Sequence, residues 1–239
     1  MSDPRQQPAI ASGTTTRQPE MQALASREAA GFTADIWVRA PRHGDEETVA
    51  VLARAALGEG EDLDAKQFAV DVCTAHGRPQ VPYGAGQALV AGLPGSEEPG
   101  GIVYMTPPVR LIQESRALGL KAQDILTREM REIELVAVAA SVRGFGVGSA
   151  LLLTAQSVAA QEGVRIMCAK VAARNTSALR WWRHRGYALA QPGEDVRLHL
   201  DVPVICNDGR DGYRLVVQAH GGRVSEGRYM LHVHPGGNA

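Results

Sequence analysis

The chain has 239 residues, of which 44% are hydrophobic, and a formal net charge of −1 at pH 7. This length and composition suit one large domain or a domain with extensions, and the near-neutral charge argues against binding to nucleic acid or to an anionic membrane. The sequence contains no apolar run of about 18 residues, so it predicts no membrane-spanning helix.

Three widely spaced cysteines without a CxxC pair indicate a reducing compartment and argue against a metal-binding finger. The N-terminal segment also lacks the apolar core of a secretory signal, so we expect a cytoplasmic protein without a metal site. Residues 1–34 are rich in Pro, Gln, Thr, Ser and Ala. This composition predicts a flexible tail that contains a short helix over 20–30.

The folded part is expected to begin with a strand at 36–39. Acidic residues at 45–47 then precede a periodic apolar run, which predicts a helix because acidic side chains are favourable in a first turn. A second helix is expected over 62–75. The connection between the helices, 58–64, is acidic and is either a solvated loop or a surface that attracts a cationic amine.

Residues 87–91 and 101–105 predict a β-hairpin, since these two apolar runs flank a loop rich in Gly, Pro and Glu. The next segment, 107–131, is longer than the usual connection of about 4–6 residues, and its apolar spacing predicts one or two helices. It is either a substrate lid or an elaboration of the fold.

The stretch from Glu132 to Leu153 organises the chain. Ile133 and residues 135–138 form a short apolar run typical of a buried strand, a glycine-rich turn follows, and a helical pattern begins at Ser149. Glycines let the backbone bend sharply, and the free N–H groups of a helix N-terminus favour an anion, so this stretch predicts a pyrophosphate site. It lacks the Gly-Lys-Ser/Thr of a P-loop, and Ser149 replaces the third glycine of a dinucleotide fold.

The RxxGxG motif at 143–148 resembles the acyl-CoA pyrophosphate loop of the GNAT superfamily of N-acetyltransferases. A predicted strand follows at 164–171. The segment 175–187 then resembles the second GNAT signature, with an Asn, a short helix that carries an aromatic residue, and a terminal Gly-Tyr. The two signatures occur in the order and at the spacing of that family.

This resemblance implies the GNAT fold, a mixed α/β domain over 35–203 whose mostly antiparallel central sheet is flanked by helices. The last strands of that sheet are expected at 187–190 and 196–202. Residues 204–239 are expected to form a C-terminal β-hairpin extension, and a homodimer that shares it is a further expectation. The hairpin strands are 213–217 and 228–233.

The resemblance also implies acetyl-CoA as the acetyl donor. The strand edge at Ala137 and Val138 is expected to hold the pantetheine and the acetyl carbonyl, and Asn175 is a further cofactor-binding candidate. The pyrophosphate is expected to meet the backbone of Arg143, Gly144, Phe145, Gly146, Val147, Gly148 and Ser149.

Acetyl transfer to an amine requires a base, because an alkylammonium has a pKa of about 10. Glu132 and Glu134 lie two residues apart on the central strand and so point to one face, where we expect the acceptor cleft. Carboxylates on an apolar strand are costly unless they meet solvent, a partner or a ligand. Glu132 stands where the histone-acetylating branch has its general base; the alternative is a carboxylate satisfied by an arginine or by backbone.

Trp182 stands where the family commonly has a tyrosine that protonates the leaving thiolate. An indole N–H does not give up its proton at useful pH, so Trp181 and Trp182 are expected to be packing residues. The proton must then come from water or another side chain. The prediction is an N-acetyltransferase that acts on a small-molecule or polypeptide amine, and the chief alternative is a non-catalytic acyl-CoA-binding or sensing module.

Overall fold

The computed structural model describes residues 36–57, 64–206, 212–227 and 230–236. The predicted N-terminal tail, its short helix, and the acidic connection up to residue 63 lie outside the described residues.

Four of the described helices begin at a capping side chain or at a glycine, either of which suits the free N–H groups of a first turn. The Asp64 carboxylate accepts hydrogen bonds from the backbone N–H groups of Lys66 (2.9 Å) and Gln67 (3.3 Å) and so caps the second helix. The described helices are α1 (Glu46–Leu57), α2 (Ala65–Thr74), α3 (Val109–Glu114), α4 (Leu120–Glu129), α5 (Val147–Gln161) and α6 (Thr176–His184), with 3-10 turns at Ser115–Leu118 and Ala140–Val142.

The strands fall at the apolar and alternating runs of the sequence. In chain order they are β1 (Trp37–Arg39), β2 (Gln80–Val81), β3 (Gly84–Ala85), β4 (Gln87–Gly92), β5 (Gly101–Thr106), β6 (Met130–Val138), β7 (Ile166–Ala172), β8 (Ala188–Leu189), β9 (Asp195–Leu198), β10 (Val204–Cys206), β11 (Tyr213–Ala219), β12 (Arg223–Glu226) and β13 (Met230–His234).

One seven-stranded sheet has the order β1-β4-β5-β6-β7-β11-β8. Neighbouring strands in it are antiparallel, apart from the parallel pair β6 and β7. A second sheet has the order β10-β9-β13-β12. The predicted fold class, α/β with a mostly antiparallel central sheet and flanking helices, is confirmed.

Two strand pairings predicted near the C-terminus are wrong. The sequence assigns 196–202 to the large sheet, whereas β9 pairs with β10 and β13 in the second sheet. It also pairs 213–217 with 228–233, whereas β11 lies between β7 and β8 in the large sheet. A C-terminal hairpin is present, with β12 and β13 as its strands. Alternation of apolar residues predicts a strand but not its partner, so the division of the chain at 34 and 203 stays a prediction.

Three apolar clusters cover the two faces of the large sheet. On one face, α5 and α6 pack against its central strands. On the other face, α1 and α2 cover β4, β5 and the second half of β6. Beside them, α3, α4 and the second sheet cover β7 and β11. Leu111, Ile112, Ile125 and Leu126 of the 107–131 segment are buried in this last cluster, which favours an elaboration of the fold over a mobile lid.

Substitution of Val217 by Asp should lower the free energy of unfolding by several kcal/mol, because it places a charge on an inner strand at a side chain that is 0% exposed. Ile205→Asp is the matched control: Ile205 lies on β10 and is 51% exposed, so we expect a loss of about 1 kcal/mol or less. Urea unfolding followed by circular dichroism compares the two. Equal losses would contradict the position of β11 inside the large sheet.

Candidate functional site

The parallel strands β6 and β7 are joined along only part of their length. Their paired residues are Met130 with Ile166, Arg131 with Met167, and Glu132 with Cys168. Beyond these pairs, residues 133–138 keep their ladder to β5 but have no ladder to β7 in the described structure. The sheet is therefore open between the second halves of the two strands, and the backbone polar groups on that edge of β6 face a gap.

The glycine-rich loop, residues 143–148, lies at the wide end of this gap, beyond the last residue of β6. Gly144 and Gly146 have φ angles of +84° and +91°, a left-handed conformation that suits glycine. Gly146 is the N-cap residue of α5, so the free N–H groups of its first turn begin at the loop. The Arg143 guanidinium donates from Nε to the Val138 carbonyl at 3.0 Å, which ties the loop to the end of β6.

The first turn of α5 lies close to β6. A Cβ at Gly148 would approach Val138 Cγ2 to 3.3 Å and the Trp181 ring to 3.5 Å, so this position has little room for a side chain. The Ser149 hydroxyl accepts a hydrogen bond from the guanidinium of Arg185. That guanidinium also stacks over the Trp181 ring at 4.1 Å and adds positive charge beside the helix N-terminus.

Asn175 begins α6 as its N-cap residue. Its Oδ1 accepts hydrogen bonds from the backbone N–H of Ala178 (3.1 Å) and from the Ser177 hydroxyl (2.9 Å). The capping role accounts for an asparagine at this position. A contact of Asn175 with a cofactor stays a prediction.

The two predicted catalytic glutamates lie in different environments. Glu132 is 4% exposed, and its Oε1 lies 3.1 Å from the Nζ of Lys170 on β7. Glu134 is exposed and accepts a hydrogen bond from the Thr106 hydroxyl at 3.0 Å. It is the extra residue of a β-bulge, because Tyr104 and Met105 of β5 pair with Leu135 and Ile133.

An aromatic pair lies on the same face as Glu134. The rings of Tyr104 and Phe68 are 5.0 Å apart in an edge-to-face arrangement, which brings α2 onto β5. Burial raises the pKa of the Tyr104 phenol to about 12, and the negative charges of Glu134 and Asp71 add to the effect. The face under α1 and α2 therefore combines aromatic surface with negative charge.

Trp182 is a core residue. It is 5% exposed and packs edge-to-face between Trp181 (4.9 Å) and Tyr187 (4.6 Å). Such packing agrees with the structural role expected for Trp182.

Sequence reasoning missed Lys170 as a site residue. Lys170 is a charged residue within β7, whose other residues are apolar. A charged residue on an otherwise apolar strand is also the feature that singled out Glu132 and Glu134 on β6. What the sequence lacked was the alignment of β6 and β7 that brings Lys170 to Glu132.

A cavity of about 800 Å³ lies at the other end of β6 and β7, where both strands begin. Two arginines in its lining are already paired: Arg165 with Glu129 at 2.8 Å and Arg131 with Glu162 at 3.5 Å. The predicted site residues lie outside this lining. The cavity is therefore distinct from the gap that holds the predicted site.

Two further classes of feature are missing from the part of the chain that the structure describes. It contains no helix long and apolar enough to cross a membrane. It also contains no group of three or more His, Cys, Asp or Glu side chains placed to hold a metal ion.

Residues 110–187 match the model of the acetyltransferase (GNAT) family, which confirms the resemblance that the motifs indicated. A search of curated proteins finds no significant match. Similar solved structures include Ard1 from Thermoplasma volcanium (16% identity, TM-score 0.49, covering 78% of this chain and 98% of that one). NAA60 from Arabidopsis thaliana also resembles this chain (18% identity, TM-score 0.49, covering 77% of this chain and 99% of that one). So does the diaminobutyrate acetyltransferase EctA from Paenibacillus lautus (15% identity, TM-score 0.47, covering 77% of this chain and 95% of that one). At these identities and TM-scores the similarity bears on neither substrate nor mechanism.

Replacing Trp182 by Phe should lower the free energy of unfolding by about 1–3 kcal/mol, because it leaves a void beside Trp181 and Tyr187. Phe145→Leu also trims an aromatic ring, but at a side chain that is 55% exposed, and should change stability by about 0.5 kcal/mol or less. Thermal and urea unfolding measure both. A Trp182→Phe variant as stable as Phe145→Leu would refute the packing role.

Proposed function

We propose that this chain, whose residues 110–187 match the model of the acetyltransferase (GNAT) family, transfers an acetyl group from acetyl-CoA directly to an amine. The observation that carries the proposal is the gap between β6 and β7 with a glycine-capped helix N-terminus at its wide end. Such an arrangement offers an anion site and an open strand edge in one continuous groove.

In this proposal the backbone performs most of the cofactor binding. N–H groups from Arg143 to Ser149 surround the pyrophosphate, and the positive end of α5 favours its charge. The open edge of β6 at Ala137 and Val138 holds the pantetheine arm and the acetyl carbonyl. The hydrogen bond from Arg143 to the Val138 carbonyl supports this assignment, since it fixes the loop relative to that edge.

The acceptor amine approaches from the face covered by α1 and α2. Glu134 is exposed on that face at the bulge of β6, whereas Glu132 is buried against Lys170. We therefore assign the removal of the ammonium proton to Glu134, directly or through water, and place Glu132 in a supporting role. The bulge aims the Glu134 side chain out of the regular ladder.

The acceptor is a cationic amine in this proposal. Glu134 and the nearby Asp71 are negative, and Tyr104 and Phe68 supply aromatic surface between β5 and α2. Both features attract an ammonium group. Small-molecule amines and polypeptide amines share this chemistry, and a panel that contains both kinds, read out by thiol release from acetyl-CoA, separates them.

Binding of acetyl-CoA without thiol release on such a panel would instead favour a non-catalytic acyl-CoA-binding module. Trp182 in place of the usual tyrosine is the observation behind this alternative. Binding and turnover are therefore measured on the same preparation.

Gly146→Asp should weaken acetyl-CoA binding by roughly tenfold or more, because it places a negative charge at the N-terminus of α5. Gly193→Asp is the matched control, since Gly193 also has a positive φ (+73°, against +91° for Gly146) but lies in the turn before β9. Both variants bear similar backbone strain. Isothermal titration calorimetry of the folded proteins measures their affinities for acetyl-CoA. Equal affinities for the two variants would exclude the loop as the pyrophosphate site.

Glu134→Gln should lower kcat with a saturating amine by roughly 10²–10⁴-fold, because it removes the base but keeps the shape of the side chain. The rate should recover in part at higher pH, where more of the amine is already neutral. Glu226→Gln, on the exposed strand β12, should leave kcat unchanged. Full activity of Glu134→Gln across the pH range would mean that water or a neutral amine replaces the base.

A further inference from the structure

The proposed reaction leaves a thiolate that needs a proton, and Trp182 does not supply it. Trp182 is 5% exposed in the core beneath α6, and an indole N–H is a donor that keeps its proton. The proton must come from another group that reaches the gap between β6 and β7.

Lys170 lies at the narrow end of that gap. It follows Cys168, the last residue of β7 that pairs with β6, by two positions. Its Nζ reaches back across the gap to the Oε1 of Glu132, 3.1 Å away. The lysine side chain is 27% exposed and the glutamate side chain 6%, so Lys170 is the more accessible residue of the pair.

The ion pair lies at the opposite end of the groove from the pyrophosphate loop. The pyrophosphate loop lies at the wide end, beyond Val138, and the strands converge from there towards Glu132. A pantetheine arm that enters along the open edge of β6 therefore places its sulfur towards the narrow end. The ammonium of Lys170 lies at that end, on the face from which the amine approaches.

We propose that Lys170 is the general acid that protonates the CoA thiolate, and that Glu132 positions it. The assignment rests on the proposed acetyl transfer. The amine nitrogen, after loss of one proton to Glu134, attacks the thioester carbonyl and forms the C–N bond of a tetrahedral intermediate. The C–S bond then breaks, its electron pair stays on sulfur, and Lys170 transfers a proton from Nζ to that sulfur.

The proton balance closes without a further reactant. The intermediate nitrogen loses its second surplus proton through Glu134 to solvent, and Lys170 takes one proton back from solvent after the thiol leaves. One ammonium and one thioester thus give one amide, one thiol and one released proton.

Lys170→Arg separates catalysis from structure. Arginine keeps the positive charge and can keep the ion pair with Glu132, but it does not release its proton in a protein. We expect kcat to fall roughly 10²–10⁴-fold with the best amine of the panel, while the melting temperature and the calorimetric affinity for acetyl-CoA stay at the wild-type values.

The pH profile provides a second, independent readout. Wild-type kcat should decrease on the alkaline side as the Lys170 ammonium loses its proton, and Lys170→Arg should lack this decrease. The double variant Lys170→Met with Glu132→Gln removes both charges without leaving a buried carboxylate unpaired, and should show the same low kcat without the alkaline decrease.

Wild-type kcat in Lys170→Arg, or a reduced kcat that keeps the alkaline decrease at the same pH, would overturn the assignment. In either case, thiol release by the wild-type protein would leave the acetyl-transfer proposal intact. Wild-type protein that binds acetyl-CoA but releases no thiol with any panel amine would instead refute the acetyl-transfer proposal, and the role of Lys170 would fall with it.

Discussion

The incomplete pairing of β6 and β7 is the constraint on which the site depends. Two adjacent strands of a sheet normally satisfy each other's N–H and C=O groups, and here they do so only over their first residues. The rest of the β6 edge needs partners from elsewhere. The start of α5 lies at one end of the opening, and the ion pair between Glu132 and Lys170 links the two strands at the other end. The groove is thus a property of the sheet itself and not of surface loops.

The ion pair at the narrow end is costly to build. Removing a carboxylate and an ammonium from water carries a desolvation penalty that their attraction repays only in part, and an apolar pair of similar volume is often as stable. Glu132 and Lys170 interrupt two strands that are otherwise largely apolar. A charge pair in such a place is easier to explain by chemistry at the groove than by stability.

Local patterns predicted most elements, because apolar periodicity, capping residues and glycines act over a few residues. The N-cap at Asp64 and the glycine start of α5 are examples. Relations between distant segments were not predictable in this way: the partners of β9 and β11, and the contact between Glu132 and Lys170, depend on chain topology. The bulge that separates the environments of Glu132 and Glu134 depends on the register with β5, which a single strand does not encode.

The position of β11 has a consequence for the synthesis of the protein. This strand comes from residues 213–219, more than 40 residues after β7, yet it lies between β7 and β8. On the ribosome, β7 and all the elements up to α6 emerge before β11, the strand that covers the edge of β7. That edge presents unpaired backbone groups to other nascent or aggregating chains until residues 213–219 have been translated. We therefore expect the sheet to close late, and chaperones that shield strand edges to have their largest effect on yield in that interval.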